Sequence, residues 1–248
     1  MAYPFPKKTI VIPIFLILLI WGVFLIQESG IGLKGCYGVV PRTLFGLRGI
    51  ILSPLFHSNW SHLLSNTFPL FFLSFLALLM YGRLTYYVIL FGWILSGILL
   101  WLIGNPPFIS DNIGCHIGAS GIVYMLASFI LFSGIIKKER GLMAISAIVI
   151  LFYGSMFWGI IPEKFLPLDN FGNNAISWEG HLSGLIVGIL FAILFRNLGP
   201  KKETPKWENE NYFDPREEEL WQQYLHSINP PEDKQEDPFD SEKNDNAI

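Results

Sequence analysis

Four polar side chains interrupt long apolar stretches of this 248-residue sequence: His62, Asn66, Ser120 and His181. Polar groups inside such stretches are energetically costly, so each one marks a candidate functional position. A serine hydroxyl becomes a nucleophile when a neutral imidazole can take up its proton. Histidine and asparagine N–H groups can stabilise the oxyanion that the attack creates. These residue types therefore indicate acyl-transfer chemistry with a serine nucleophile.

The spacing of these residues predicts that they lie at one depth. The number of residues to the next basic residue after the apolar stretch is 17 for Asn66, 17 for Ser120 and 15 for His181. At about 1.5 Å per helical residue, each side chain lies roughly 22–26 Å from that end of its helix. In a hydrocarbon core of about 30 Å, all three reach one level near the opposite surface. His62 lies one turn above Asn66 on the same helical face.

Small residues flank the predicted nucleophile. Gly118, Ala119 and Gly121 surround Ser120, which we expect at the start of a helix. Free backbone N–H groups and the positive end of the helix dipole favour an oxyanion there. Tyr124 follows one turn later on the same face and is expected to stack on the imidazole.

Glycines also mark the helix that carries the predicted base. Gly180, Gly184 and Gly188 recur every four residues beside His181. Such ridges allow two membrane helices to pack closely. We expect this packing, together with Gly118 and Gly121 on the other helix, to bring the imidazole to the serine hydroxyl.

The surrounding elements are predicted to be membrane-spanning helices. The chain is 52% hydrophobic and only 15% charged, with a mean hydropathy of +0.44, which excludes a soluble domain of this length. We predict an all-α membrane protein with a six-helix bundle in residues 1–199, followed by an acidic tail in 200–248. The tail has a capping pattern that predicts a short helix at 215–228. The six predicted spans are Thr9–Ile26, His62–Met80, Leu84–Ile103, Ser120–Ile136, Gly141–Trp158 and His181–Phe195.

Charge predicts the orientation. Residues 1–200 hold 11 Lys/Arg and 6 Asp/Glu, whereas residues 201–248 hold 6 and 14. Assigning the loops to alternate sides places ten basic residues on the side of both termini and four on the other, which predicts cytoplasmic termini. No basic patch with interleaved aromatic residues indicates a nucleic-acid partner. The lipid bilayer is the predicted environment.

The sequence gives weaker evidence for metal binding, for a role of Glu179 and for a disulfide. The histidines His57, His62 and His181 lack carboxylates at ligand spacing, so we predict no metal and no cofactor. Glu179 is expected to be a solvated loop residue. Cys36 and Cys115 both fall on the outer side, where a disulfide is possible, although two free thiols are the favoured interpretation.

Each motif alone also has a structural interpretation. A glycine-flanked serine in an apolar helix is most often a packing feature, and a single membrane histidine is often only a hydrogen-bonding group. The combination is more specific. His57-x4-His62-x3-Asn66, Gly118-Ala119-Ser120-Gly121 and His181-x2-Gly184-x3-Gly188 occur in this order on the second, fourth and sixth predicted spans.

This combination resembles the rhomboid family over about residues 10–197. Two stretches of the first loop are also similar to the family, Gly38-Val39-Val40-Pro41-Arg42 and Ser53-Pro54-Leu55-Phe56-His57. The Trp-Arg pair that many relatives carry in that loop is missing. The resemblance implies an intramembrane serine protease with a Ser120–His181 dyad and an oxyanion hole formed by His62, Asn66 and the Ser120 backbone.

The resemblance also implies roles for other elements. Tyr124 would stack on His181, the Gly159–Gly180 loop would cap the site, and the fifth span would be a lateral gate. The implied substrates are transmembrane proteins, and the compact layout resembles members from the bacterial inner membrane. Two alternatives stay open at this point: a catalytically inactive rhomboid-like protein that binds membrane clients, and a small transporter with a polar path along the histidines.

Overall fold

The computed structural model describes residues 8–30, 35–105, 114–162, 177–200 and 214–229, without the side chains of Lys8, Met156 and Phe157. These ranges are predominantly helical, in agreement with the predicted all-α fold. The α-helices are α1 (Lys8–Glu28), α2 (Gly49–Leu52), α3 (Trp60–Tyr81), α4 (Leu84–Ile103), α5 (Ser120–Lys137), α6 (Arg140–Tyr153), α7 (Trp178–Leu194) and α8 (Pro215–Ile228).

Four of these helices, α1, α3, α4 and α5, are long and apolar enough to cross a membrane. Helices α6 and α7 are apolar but shorter, with 14 and 17 residues. At about 1.5 Å per residue, α7 is roughly 26 Å long, slightly less than a typical hydrocarbon core. The α4 boundaries agree with the sequence-based prediction, and α3 begins two residues earlier than predicted because Asn59 caps it by accepting a hydrogen bond from the His62 N–H.

Helix α5 lies at the centre of the bundle. Within its apolar stretch 56% of the residues are buried inside the protein, against 28–39% for the other three long helices. It packs against α3, α4, α6 and α7. The side chains of Met125, Leu126 and Phe129 are completely buried there. The helix that begins with Ser120 is therefore held from several sides, which suits it to position a reactive group.

The predicted fifth span, Gly141–Trp158, is wrong in its last five residues, which are not α-helical. Helix α6 ends at Tyr153, and the chain continues as a 3₁₀ helix over Gly154–Ile160. Gly154 follows directly, and glycine favours an α-helix less than the apolar residues before it. The tighter turns carry Gly159 to the beginning of α7.

The first loop, which connects α1 to α3, packs against α4. It contains a 3₁₀ helix (Phe45–Arg48), α2 and a second 3₁₀ turn (Ser53–Leu55). The Arg42 guanidinium donates hydrogen bonds to the carbonyl oxygens of Gly104 and Asn105 at 2.7 and 2.9 Å. The Trp101 indole donates to the Thr43 carbonyl at 2.9 Å. These bonds fix the loop on the end of α4.

A disulfide joins Cys36 and Cys115, with a Cα–Cα distance of 5.9 Å. The interpretation of two free thiols, which the sequence favoured, is therefore wrong. Next to the disulfide, Val39 and His116 form an isolated antiparallel bridge with two backbone hydrogen bonds of 2.9 Å. The segment before α5 is thus covalently and non-covalently fixed to the first loop.

Helix α8 belongs to a second compact unit, separate from the one that contains α1–α7. Asp214 caps its N-terminus by accepting a hydrogen bond from the Arg216 N–H, and Pro215 is its first residue. Its bounds agree with the helix predicted at 215–228. None of its side chains is buried.

Candidate active site

Ser120 is the first residue of α5, directly after Ala119. The first N–H groups of an α-helix have no acceptor within the helix, so the backbone at Ser120 offers donors to an incoming oxygen. Gly118 prepares this geometry with a φ of +116°, and its N–H donates to the Ser53 carbonyl at 2.8 Å. A Cβ on Gly118 would lie 2.6 Å from Nε2 of His62. Only glycine fits both the conformation and the close contact.

The same contact shows where His62 points. Its Nε2 lies against the backbone that leads into Ser120, whereas its Nδ1 lies 3.1 Å from the Ser58 hydroxyl and 3.5 Å from the Ser58 N–H. A backbone N–H can only donate, so Nδ1 is the acceptor and the proton of the neutral ring resides on Nε2. That N–H is directed to the start of α5.

Two neighbours support the His62 ring. His57 is fully buried and packs edge-on against it at 5.1 Å between ring centres. Burial, and to a smaller extent the adjacent His62, lower the pKa of His57 to about 4, so the supporting ring is neutral. Asn66 is buried one turn below, and its amide donates to the His62 carbonyl at 2.9 Å. Its second amide N–H is left for another acceptor.

His181 lies in the first turns of α7, whose N-cap is Ser177. Its Nδ1 is 2.8 Å from the Gly159 carbonyl oxygen. A carbonyl oxygen only accepts, so Nδ1 carries the proton and Nε2 of the neutral ring is the basic atom. The Tyr124 ring stacks on the imidazole with 4.1 Å between centres and 10° between planes. The ring that the sequence marks as a base is thus fixed in one tautomer and one plane.

Glycines bring α5 and α7 into backbone contact beside these residues. A Cβ on Gly184 would lie 2.1 Å from the Gly121 carbonyl oxygen, and one on Gly188 would lie 2.3 Å from the Met125 carbonyl oxygen. A Cβ on Gly121 would lie 3.3 Å from the Gly180 carbonyl oxygen. The residues directly before Gly121 and directly after Gly180 are Ser120 and His181. The backbone contact between the two helices therefore begins beside these two residues and continues along α7 to Gly188.

The His181 ring makes its hydrogen bond to the Gly159 carbonyl. The side chains of His181 and Ser120 both lie in the described part of the chain, and no hydrogen bond joins the imidazole to the serine hydroxyl there. Catalytic hydrogen bonds are often long before substrate binds and shorten in the complex. A cavity with about 30 Å³ of space for water adjoins Ser120 and is also lined by Ser53, Ser96, His116 and Ser177. This volume is sufficient for roughly one or two water molecules.

Glu179 differs from its prediction as a solvated loop residue. It lies in the first turn of α7, is only 4% exposed, and accepts a hydrogen bond from the Asn105 N–H at 3.3 Å. Helix α7 begins three residues earlier than predicted, so Glu179 belongs to its first turn. The carboxylate is buried there because the end of α4 covers it.

The sequence did not reveal two further residues at this site, Gly159 and His116. Gly159 acts through its carbonyl oxygen, which every residue type carries, so no side-chain pattern marks it. His116 stands outside the apolar helices and the quoted motifs. The predicted capping loop Gly159–Gly180 falls largely on residues 163–176, which lie outside the described residues.

Comparison with known proteins identifies the family of this chain. The family model described as Rhomboid domain matches residues 45–198. An uncharacterized protein of Mycobacterium tuberculosis is 36% identical over 159 residues, which are 63% of this chain and 62% of the relative. An uncharacterized protein of Mycobacterium leprae is 36% identical over 160 residues, 64% and 59% of the two chains. The "Putative rhomboid protein L523" of Acanthamoeba polyphaga mimivirus is 34% identical over 159 residues, 62% of this chain and 81% of that protein.

The apolar helices and the family match define a helical integral membrane protein. The chain belongs to the rhomboid family. It spans about 62% of the length of the Mycobacterium tuberculosis relative.

Proposed function

We propose that this protein is an intramembrane serine protease that cleaves peptide bonds in or near the transmembrane segments of other membrane proteins. The main support for this proposal is the tautomer of the His181 imidazole. Because Gly159 holds the proton on Nδ1, the free lone pair on Nε2 is available as a general base. This base lies on a helix that touches the α5 backbone directly beside Ser120.

The reaction would begin with proton transfer from the Ser120 hydroxyl to Nε2 of His181 as Oγ attacks the substrate carbonyl carbon. The carbonyl oxygen becomes an oxyanion, which receives the Ser120 backbone N–H, the Nε2–H of His62 and the second N–H of the Asn66 amide. The imidazolium then donates its proton to the leaving amine, and an acyl-enzyme forms. A water molecule, deprotonated by the same imidazole, hydrolyses the ester and releases Ser120.

The stacked Tyr124 contributes by fixing the plane of the imidazole through proton transfer. Since Tyr124 and Gly159 hold the ring on two sides, little reorganisation is needed when it becomes charged. No cofactor takes part in these steps. The cavity beside Ser120 is a source of the hydrolytic water within the apolar bundle.

The Cys36–Cys115 disulfide supports an orientation for this activity. Disulfides form in oxidising compartments, so the side of the bundle that carries it faces away from the cytoplasm. The excess of basic residues on the opposite side agrees with this orientation. Both termini are then cytoplasmic, the site opens toward the outer surface, and the layout is that of a bacterial inner-membrane protein.

The test is cleavage of a model transmembrane substrate by the purified protein in detergent and in liposomes. Ser120→Ala removes the nucleophile and is expected to abolish cleavage. Ser74→Ala is a matched control, since this buried serine of α3 bonds only its own helix, and it is expected to cleave at the wild-type rate. Unchanged cleavage by Ser120→Ala would exclude the proposed nucleophile. Substrate binding without any cleavage by the wild type would instead favour a client-binding protein.

A further inference from the structure

His116 connects the two helices that carry the proposed dyad. Its Nδ1 lies 2.7 Å from the Ser177 hydroxyl, and its Nε2 lies 2.7 Å from Oδ1 of Asn105. The ring is only 8% exposed. Ser177 in turn caps α7 by accepting the Gly180 N–H at 3.2 Å. One imidazole thus joins the segment before α5, the end of α4 and the beginning of α7.

The hydrogen bonds around His116 are consistent with one arrangement of protons. Asn105 Oδ1 also accepts the Gly114 N–H at 3.2 Å, which identifies this atom as the amide oxygen. His116 must therefore donate through Nε2–H, and its Nδ1 accepts from the Ser177 hydroxyl. Ser177 can do both at once, because a hydroxyl donates one hydrogen bond and accepts others. The neutral ring satisfies every partner, and a protonated ring would lose its acceptor for Ser177.

The link between His116 and Ser177 lies close in sequence to both residues of the proposed dyad. His116 precedes Ser120 by four residues, and Ser177 precedes His181 by four residues. The His181 N–H donates to the Ser177 carbonyl at 3.2 Å, so the base is one helical turn from the capping serine. A displacement of Ser177 relative to His116 would be passed to His181 by a rigid turn of helix.

The other end of the link is fixed. Cys115 is bonded to Cys36, and the His116 backbone makes two hydrogen bonds with Val39. His116 is therefore fixed to the first loop, and from this position its ring can hold the beginning of α7. Its ring and Ser177 also line the cavity beside Ser120.

We propose that His116 is a positioning residue that, through Ser177, holds the first turn of α7 and sets the placement of His181 relative to Ser120. The proposal rests on the proposed protease function and adds a third histidine to it, one that touches neither the substrate nor the reacting atoms. A misplacement on the order of 1 Å at a reacting group can cost about a hundredfold in rate. The link therefore acts on kcat and leaves KM nearly unchanged.

Two substitutions of similar size separate hydrogen bonding from packing at His116. His116→Phe keeps an aromatic ring without hydrogen bonds, and we expect kcat to fall about ten- to a hundredfold. His116→Gln keeps one donor and one acceptor, and we expect it to recover much of the loss. Wild-type kcat in the Phe variant would overturn the proposal, and so would equal losses in both variants, since packing alone would then explain the effect.

A double-mutant cycle tests whether Ser177 is the intermediary. Ser177→Gly removes the hydroxyl but keeps a residue type that helices accept at the N-cap position. If the two residues act through each other, the His116→Phe/Ser177→Gly double variant loses no more activity than the more impaired single variant. Multiplied losses would overturn the proposal, because they would mean two independent effects.

A readout that needs no activity separates failure of this inference from failure of the protease function. The ring nitrogens of His116 and His181 can be followed by NMR after ¹⁵N-histidine labelling, with assignments from single histidine variants. Ser177→Gly is expected to shift the His116 Nδ1 signal and both His181 ring signals. If wild-type protein cleaves no substrate but these shifts occur, the protease function fails and the positional link stands. If His181 signals stay unchanged, the link is refuted whatever the activity.

Discussion

The carbonyl oxygen of Gly159 lies 2.8 Å from Nδ1 of His181, and the Tyr124 ring covers the face of the same imidazole. A backbone carbonyl here does what a carboxylate does in a three-residue triad, since it fixes the tautomer and the direction of the base. A neutral acceptor avoids a buried carboxylate, which would be costly in an apolar bundle. In the proposed protease, two catalytic side chains would therefore be sufficient, because the backbone supplies the third group.

Gly159 should not tolerate a side chain. A Cβ at this position would lie 2.3 Å from the Tyr124 hydroxyl oxygen and 3.0 Å from Nδ1 of His181. Gly159→Ala is expected to displace both rings and lower kcat by about ten- to a hundredfold. Steady-state cleavage of a transmembrane substrate measures this. Gly154→Ala is the control, because its Cβ would meet a single atom at 4.0 Å, and it should retain activity. Equal activities of both variants would contradict the assigned role of the Gly159 segment.

Gly184 should be essential for stability. An alanine Cβ would lie 2.1 Å from the Gly121 carbonyl oxygen, so α7 must move away from α5. Overpacking of this kind typically costs about 1–3 kcal/mol, and Gly184→Ala is expected to lower the Tm in detergent. Gly22→Ala in α1 has nothing within 4 Å of the new Cβ and should leave the Tm unchanged or slightly higher. A Gly184→Ala protein as stable as this control would disprove the close packing.

Local patterns in the sequence predicted a large part of the fold. The apolar stretch of α4 and the capping pattern of α8 are local features of the sequence. The bounds of both helices could therefore be predicted directly from them. The order of the motifs also placed Ser120 and His181 on helices that prove to be adjacent. Such features depend on helical periodicity and on membrane thickness, both of which the sequence expresses locally.

What the sequence could not predict depends on the path of the chain in space. The burial of Glu179 follows from its contact with the end of α4, 74 residues away. The Cys36–Cys115 pairing requires the two residues to lie close together in space, and the composition of the loops does not reveal this distance. His116 lies between segments that are distant in sequence, and its partners are a serine and an asparagine without a motif.

The disulfide should stabilise the end of the bundle that carries it. It closes a loop with a sequence separation of 79 residues, and loops of this size correspond to stabilisation of about 2–5 kcal/mol. Cys36→Ser/Cys115→Ser is expected to lower the Tm, and reduction of the wild type should lower it to the same value. The reductant should not affect the double variant. If oxidised, reduced and double-variant proteins unfold at one temperature, the disulfide has no stabilising role.

Two buried histidines should make stability depend on pH. Burial lowers the pKa of His57 and of His116 from 6.5 to about 4, with a smaller effect of neighbouring His62 on His57. Between these values the unfolded chain binds protons that the folded chain does not. The free energy of unfolding therefore falls as the pH decreases from about 6.5 to about 4, and these histidines contribute no pH dependence above that range.

Thermal unfolding at several pH values measures this dependence. The His116→Phe variant should show a shallower loss of Tm between about pH 6.5 and 4 than the wild type, because one of the two groups no longer titrates. His226→Ala, in an exposed position of α8, is the control and should keep the wild-type slope. A slope unaffected by His116→Phe would show that His116 does not contribute.

Labelling with a fluorophosphonate probe tests most directly whether Ser120 is a nucleophile activated by His181. The probe reacts with an activated serine, and mass spectrometry of the labelled peptide identifies the residue. We expect the wild-type protein to be labelled at Ser120 and at no other serine, with the signal lost in His181→Ala and kept in His226→Ala. Labelling of Ser120 at an undiminished rate in His181→Ala, or no labelling of active wild-type protein at Ser120, would contradict this assignment.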